Sequence, residues 1–353
     1  ALKLDPGGNL VVAGTTRDSA GTAILSLVAR YLPGGTLDTS FNSTGSVVGS
    51  SLSSVSGSKD MLNAVAIDSL GRIVAAGYRE TAAGVRSAMI IRYTPAGGLD
   101  TSFNSTGYLI VPSPGFSGVV SGASTFASND LLTAVAIDGS DRIVVGGTSA
   151  DSSGNIRSVV ARYTTAGALD TAFNTTGLVL GSATGVGGGK YDSIQAVAVG
   201  TGDRVVAGGY TVDTASNRRV LLLRFDAAGA ADLAFNTVGY VVGATPGLAG
   251  GTADYVTSLA LDGTGRILVG GYSDDGGGFK ALVLRYDSTG VADSAYGAGA
   301  LAATPRFGGG SRDFVNAIVI DASSGSEKVI AAGSSFYGSG YQASAFLRYS
   351  SSG

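Results

Sequence analysis

The stretch Ala64-Val-Ala-Ile-Asp-Ser-Leu-Gly-Arg-Ile-Val-Ala-Ala-Gly77 decides the fold of this chain. Two short apolar runs, Ala64-Val-Ala-Ile-Asp68 and Ile73-Val-Ala-Ala-Gly77, flank the turn Ser69-Leu-Gly-Arg72. A loop leads to Ser87-Ala-Met-Ile-Ile-Arg-Tyr93, and Tyr108-Leu-Ile-Val111 completes the set. These are four short aliphatic or β-branched strands bounded by Gly, Asp, Ser and Pro. The same line recurs along the chain, aligned on Arg30, Arg92, Arg162, Arg224, Arg285 and Arg348, with spacings of 61 to 70 residues. Four antiparallel strands in a period of about 60 residues make a propeller blade, whereas a solenoid repeat would hold one or two strands.

The spacing therefore predicts an all-β, six-bladed β-propeller in a single domain, 1–353. Its blades fall approximately at 1–63, 64–133, 134–195, 196–257, 258–316 and 317–353. Stacking blades buries Val, Ile and Leu on both faces, at roughly 1.5–3 kcal/mol for each large side chain fully buried. Ala66, Ala136, Ala198 and Ala260 recur at one innermost-strand position, as a crowded hub requires, while Lys3 and Val319 break the pattern.

Composition excludes several kinds of chemistry. A 44% hydrophobic and 14% charged chain with 57 glycines suits a well-buried protein rich in turns. There is no cysteine, so disulfides, thiolate nucleophiles and Cys-ligated metals are out. There is no histidine, the commonest general base and transition-metal ligand, and no tryptophan to stack sugars. No cofactor, metal site or catalytic residue is expected. A net charge of -3 offers no basic stripe for nucleic acid. No apolar run approaches the roughly 20 residues that span a bilayer. The chain begins with Ala1 and reads as processed or partial. Its Ser/Thr/Gly/Ala-rich, lysine-poor composition points to a secreted or cell-surface bacterial protein.

The run from Ala64 to Gly77, followed by Ile91-Arg-Tyr93 and Leu99-Asp-Thr-Ser-Phe103, resembles the delta-60 repeat, a family of bacterial propeller-like repeats. The resemblance extends over essentially the whole chain. It implies a surface or secreted protein and brings no catalytic residues with it. The match weakens at Ala231-Asp-Leu-Ala-Phe235 and Ala292-Asp-Ser-Ala-Tyr296, and the last copy ends before this segment.

Several constellations recur. Arg30, Arg92, Arg162, Arg224 and Arg285 are followed eight residues later by Asp38, Asp100, Asp170, Asp232 and Asp293. A second aspartate stands before the first strand, at Asp60, Asp130, Asp192, Asp254 and Asp313. One reading is an arginine cluster for anionic sugars, although sialidase aspartate boxes carry a tryptophan that is absent here. The other, which repetition in every blade favours, is a structural Arg–Asp tie joining the third strand to the connection beyond it. Asn42, Asn104 and Asn174 are formal glycosylation sequons but read as turn residues closed by Gly. The Asp-Gly and Asp-Pro-Gly turns at Asp5, Asp138 and Asp262 lack calcium-loop spacing and read as hairpin turns. Gly185-Val-Gly-Gly-Gly-Lys190 has Tyr191 where a phosphate loop needs Ser or Thr.

The segments that differ among copies are 113–129 and 181–192 between blades, and 79–86, 211–219 and 273–280 within them. All open on one face of an up-and-down blade, and variable loops on a rigid frame are where binding resides. That face offers Phe116, Tyr191, Tyr255 and Phe314 as aromatic contacts, with Arg218, Asp274, Asp275 and Arg312 as polar ones. The last blade lacks an outer strand within the sequence, which leaves an edge for flanking residues or a partner subunit. The expected function is a non-enzymatic extracellular scaffold that binds protein partners or joins a larger surface assembly. The alternative is a propeller-type carbohydrate-binding protein or carbohydrate-active enzyme.

Overall fold

The computed structural model describes residues 1–49, 58–111, 116, 129–151, 153–182, 185–243, 250–297, 301–302, 312–322, 327–336 and 341–353. The chain divides into two compact units, Ala1–Ala183 and Thr184–Gly353.

In the first unit, Leu2–Leu4, Leu10–Arg17, Ile24–Tyr31 and Ser46–Val48 form an antiparallel four-stranded module. Lys59–Ile67, Ile73–Glu80, Arg86–Tyr93 and Tyr108–Ile110 form the next. Leu131–Ile137, Ile143–Ala150, Ile156–Tyr163 and Leu178–Leu180 follow in the same order. In the second unit the modules are Gly188–Val199, Val205–Asp213, Arg218–Phe225 and Tyr240–Val242, then Asp254–Leu261, Ile267–Asp274, Phe279–Tyr286 and Leu301–Ala302. Among the described residues the last module shows three strands, Arg312–Asp321, Lys328–Phe336 and Gln342–Tyr349.

Side chains alternate along a strand, so a strand buried on both faces reads as a continuous apolar run. Ile73–Glu80 shows why. Ile73 and Ala75 pack in one cluster with Val11, Val28 and Phe41 of the preceding module. Val74 and Ala76 pack in another with Leu132, Val145 and Val159 of the following one. In the second unit Ile267 and Val269 share a cluster with Val206 and Leu222, while Leu268 shares one with Val315 and Val329. This all-β stacking of antiparallel modules is propeller-like.

From the second module on, each innermost strand carries a β-bulge, as between Leu62 and Ala64, Ile194 and Ala196, and Val256 and Ser258, whereas Leu2–Leu4 pairs without one. The bulge drives a main-chain carbonyl across the neighbouring strand, and only glycine leaves room for it. A Cβ on Gly77 would lie 1.8 Å from the Met61 oxygen, and one on Gly271 would lie 1.8 Å from the Tyr255 oxygen. The extra residue at the bulge reaches the next module. Asn63 Nδ2 donates to the Leu132 oxygen at 2.7 Å, and Thr257 Oγ1 donates to the Val315 oxygen at 2.5 Å.

Two ends of each module differ. Parallel bridges Ile24–Lys59, Arg86–Asn129, Arg218–Ala253 and Phe279–Arg312 bring the start of a third strand beside the start of the next innermost strand. The within-module hairpins and the crossings between modules therefore open at the same end. The hairpin loops are shorter than the sequence variation implies, because the strands run on to Glu80, Asp213 and Asp274 and leave only 81–85, 214–217 and 275–278. Asp213 closes its own turn by accepting the Ala215 and Asn217 N–H groups, both at 2.9 Å. Of segment 113–129, the described residues include only Phe116 and Asn129.

Candidate functional site

At the short-turn end, each of the first five repeated arginines sits on the third strand with its aspartate eight residues on. Arg30 Nε lies 2.7 Å from Asp38 Oδ2, Arg92 Nε 2.8 Å from Asp100, Arg162 Nε 2.7 Å from Asp170, Arg224 Nε 2.9 Å from Asp232 and Arg285 Nε 2.7 Å from Asp293. The same guanidinium groups stack over Phe41, Phe103, Phe173, Phe235 and Tyr296, 4.3 to 5.0 Å from the ring centres. They also reach forward: Arg30 Nη1 donates to the Pro95 oxygen at 2.6 Å, Arg92 Nη1 to Thr165 at 2.5 Å, and Arg224 and Arg285 to Ser288 and Ser351. A planar fork used on a carboxylate, a ring and a neighbour's carbonyl joins successive modules. These groups face one another, which leaves little for a ligand.

The sequons belong to the same device. Asn42, Asn104 and Asn174 take φ near 50°, as does Asn236. Their Nδ2 groups donate to the oxygens of Ser46, Tyr108 and Leu178 at 2.7–2.9 Å, so the amide that would carry a glycan is already used.

At the hairpin end, the second aspartate of each repeat is buried. Asp60, Asp130, Asp192 and Asp254 are 0% exposed and Asp313 is 1% exposed. Asp60 takes the Arg79 fork at 2.9 and 3.1 Å. The others meet hydroxyls: Ser149 for Asp130, Thr211 for Asp192 and Ser273 for Asp254, the last at 2.5 Å. Asp130 and Asp192 also accept a main-chain N–H from the segment before them, Phe116 at 3.0 Å and Val186 at 2.9 Å. Burial pushes the Asp130 carboxyl up to about 6 and raises that of Asp192, against the lowering by their hydrogen bonds.

In the second unit, aromatic rings next in sequence to these carboxylates join others in a continuous row. Tyr191 stacks on Tyr210 (5.6 Å, 9°), and Tyr210 meets Tyr255 edge-on at 5.3 Å. Tyr255 stacks on Tyr272 (4.4 Å, 23°), and Tyr272 meets Phe314 edge-on at 4.7 Å. Phe279 packs against Tyr272 and Phe314, and Phe336 ends the row 5.9 Å from Phe314. The exposed Arg218 guanidinium lies over Tyr255 at 5.4 Å and Tyr210 at 5.8 Å. Desolvation in the row raises the Tyr210 and Tyr272 phenols. Tyr191 is 36% exposed and the remaining rings are half-buried, so each ring keeps some surface in solvent.

Tyr191, Tyr255, Phe314 and Arg218 thus come together. Phe116 does not join them: it is 1% exposed in the core of the first unit. Asp274 folds back onto Gly276 and Thr252, and Asp275 pairs with Lys280 at 3.4 Å. Arg312 is exposed and its backbone pairs with Phe336 and Phe279. Sequence reading passed over Tyr210, Tyr272, Phe279 and Phe336. The repeated Gly-Tyr step at Gly77-Tyr78, Gly209-Tyr210 and Gly271-Tyr272 was the available signal for two of them. No group of three or more carboxylates able to hold a metal is found among the described residues.

No curated protein sequence matches the chain. Among solved structures it is similar to a sialidase from Trypanosoma rangeli (8% identity, TM-score 0.49, covering 99% of this chain and 54% of the sialidase). It is similar as well to the polysaccharide lyase Uly1 (9%, 0.49, covering 99% and 77%) and to a thermostable family-43 glycoside hydrolase (9%, 0.42, covering 81% and 89%). The chain spans about half the length of the sialidase, and at these identities the likeness is one of fold. The expectation of a non-enzymatic extracellular scaffold is corrected by these neighbours, which are named for action on carbohydrate. The reading carried forward is the alternative one. The family described as "Domain of unknown function (DUF5122) beta-propeller" matches at 6–41, 71–103, 139–173, 203–235 and 263–296. Each match runs from the first turn to the ring under the arginine, and these five repeats are of this β-propeller repeat family.

Proposed function

We propose that this chain is a propeller-type carbohydrate-binding protein that holds its ligand on the aromatic row of the second unit. The observation that carries this reading is the unbroken series from Tyr191 through Tyr210, Tyr255 and Tyr272 to Phe314, each ring partly in solvent and Tyr210 and Tyr255 capped by Arg218. The C–H face of a pyranose carries partial positive charge and lies flat on the negative face of an aromatic ring. Tyrosine hydroxyls and the Arg218 fork supply hydrogen bonds to ring substituents. Rings already packed on one another lose little freedom when a ligand arrives.

Binding is favoured over bond cleavage by the state of the acids. Glycoside hydrolysis needs two carboxyl groups flanking the scissile bond, about 5–10 Å apart and reachable by it. Asp192, Asp254 and Asp313, each next in sequence to a ring of the row, are closed to solvent. In this reading the modules are blades of a six-bladed propeller, the last with three strands, and a secreted or cell-surface location suits a glycan ligand.

The test uses the chain's own optics. With no tryptophan and 15 tyrosines, its ultraviolet emission comes from tyrosine alone. Titration with a panel of neutral and acidic oligosaccharides is expected to give a saturable emission change for at least one class. A flat response across the panel contradicts the proposal.

A further inference from the structure

The internal repeats expose an exception at the short-turn end of the second unit. In three repeats the first turn carries an aspartate and, four residues on, an arginine that the aspartate holds. Arg72 Nε lies 2.5 Å from Asp68 Oδ2, Arg142 Nε lies 2.6 Å from Asp138 Oδ2, and Arg266 pairs with Asp262. Adding the strand arginine and its own aspartate gives two positive charges and at least two negative ones in each: Arg72 and Arg92 with Asp68 and Asp100, Arg142 and Arg162 with Asp138 and Asp170, and Arg266 and Arg285 with Asp262 and Asp293, where Glu327 adds a third carboxylate 3.2 Å from Arg266.

The repeat that begins the second unit departs from this. Where the third repeat has Asp138-Gly-Ser-Asp-Arg142, it has Gly200-Thr-Gly-Asp-Arg204. Asp141 and Asp203 are common to both turns and share a positive φ, so the change is the loss of the turn aspartate at Gly200. Arg204 instead leans on Asp232, at 3.2 Å, which Arg224 already occupies at 2.9 Å. Two guanidinium groups share one carboxylate. The Arg204 side chain is 54% exposed, against 17%, 24% and 29% for Arg72, Arg142 and Arg266.

The space opened beside it is a cavity of about 400 Å³, lined by Arg204, Arg224, Thr201, Thr264, Ser288 and Thr289 among others. A surplus positive charge on a planar fork, in a recess edged with hydroxyls, is suited to an oxyanion. We propose that this cavity is an anion-binding site, taking the carboxylate of a uronic acid or a sulfate group. The two sources share their chemistry and differ in shape. The site does not depend on the aromatic row, which lies at the other end of the strands.

The test restores the missing residue. Gly200 has an extended backbone (φ -101°, ψ -172°) that any residue adopts, and a Cβ there meets the Leu261 side-chain tip at 3.1 Å and the Arg204 main-chain oxygen at an ordinary 3.9 Å. In Gly200→Asp the new carboxylate is expected to hold Arg204 as Asp138 holds Arg142. Calorimetric titration of the full chain uses sodium sulfate, sodium glucuronate and, as neutral control, glucose, at constant ionic strength. Saturable binding of sulfate or glucuronate but not glucose is expected, weakened about tenfold or more in both Gly200→Asp and Arg204→Gln. A response to sulfate alone marks a sulfate site, and to glucuronate alone a uronate site. The proposal is overturned if neither anion binds the unaltered chain, or if both variants bind as it does. Circular dichroism checks that each variant is folded, and Arg204→Gln alone decides the matter should Gly200→Asp misfold.

Discussion

Arg92 and Thr165 stand 73 residues apart in sequence, and Nη1 of the first donates to the main-chain oxygen of the second at 2.5 Å. The guanidinium is 1% exposed, holds Asp100 at 2.8 Å and covers the Phe103 ring at 5.0 Å. One side chain therefore ties its own third strand, its own closing segment and the next module together.

Arg92→Leu removes all three contacts and leaves Asp100 without its strand partner. Breaking such a pair from one side costs about 3 kcal/mol or more. Arg92→Lys keeps the charge and loses the fork, and an intermediate loss is expected. Urea denaturation followed by circular dichroism reads both; a Leu variant within about 1 kcal/mol of the parent shows that the tie is dispensable.

Gly77 and Gly98 separate two uses of glycine. A Cβ on Gly77 meets the Met61 oxygen at 1.8 Å, whereas one on Gly98 meets only Thr94 Oγ1 at 3.7 Å. Ala168 and Ala230 occupy the equivalent of Gly98 in later repeats. Gly77→Ala is expected to destabilise by about 3 kcal/mol as the bulge is forced apart. Gly98→Ala is expected to stabilise by about 0.5 kcal/mol by restricting the unfolded chain. Melting temperatures that move in the same direction for both variants contradict this distinction.

The buried Asp130 makes stability depend on pH in a definite direction. Its folded pKa, about 6, lies above the usual carboxylate value of 3.8 because burial penalises the charge. Between those two values the folded state binds the extra proton, so this residue's contribution falls as pH rises from about 4 to about 6 and is flat above. The span of about two units corresponds to about 3 kcal/mol. Asp130→Asn removes the titration while keeping an oxygen for the Phe116 N–H. The stability of the parent relative to this variant is expected to improve between pH 7 and pH 5; a difference that does not change over that range shows the carboxylate to be an ordinary one.

The repeat was legible because stacked modules need the same apolar strands and, from the second module on, the same glycine-bearing bulge, so the pattern recurs along the chain. The candidate site was legible only in part. Tyr191, Tyr255 and Phe314 stand next to variable segments and attract notice, whereas Tyr210, Tyr272 and Phe336 lie within the second strands of their modules and read as core. Phe116 shows the converse: in a Ser-, Gly- and Pro-rich segment nothing indicates which way a ring turns, and it turns inward beneath Asp130. The exception at Gly200 is visible in sequence as one missing aspartate, but its meaning needs the cavity that it leaves.

The account's central claim is that the ring row binds sugar, and Tyr255 is at its centre, stacked on Tyr272 at 4.4 Å and under Arg218. The most direct measurement is calorimetric titration of the best-binding oligosaccharide into the parent and into Tyr255→Ala, with Tyr31→Ala in the first unit as control. Removing one stacking ring is expected to weaken binding about tenfold or more while the control binds as the parent does. Equal affinity in all three proteins, with Tyr255→Ala folded, contradicts the claim.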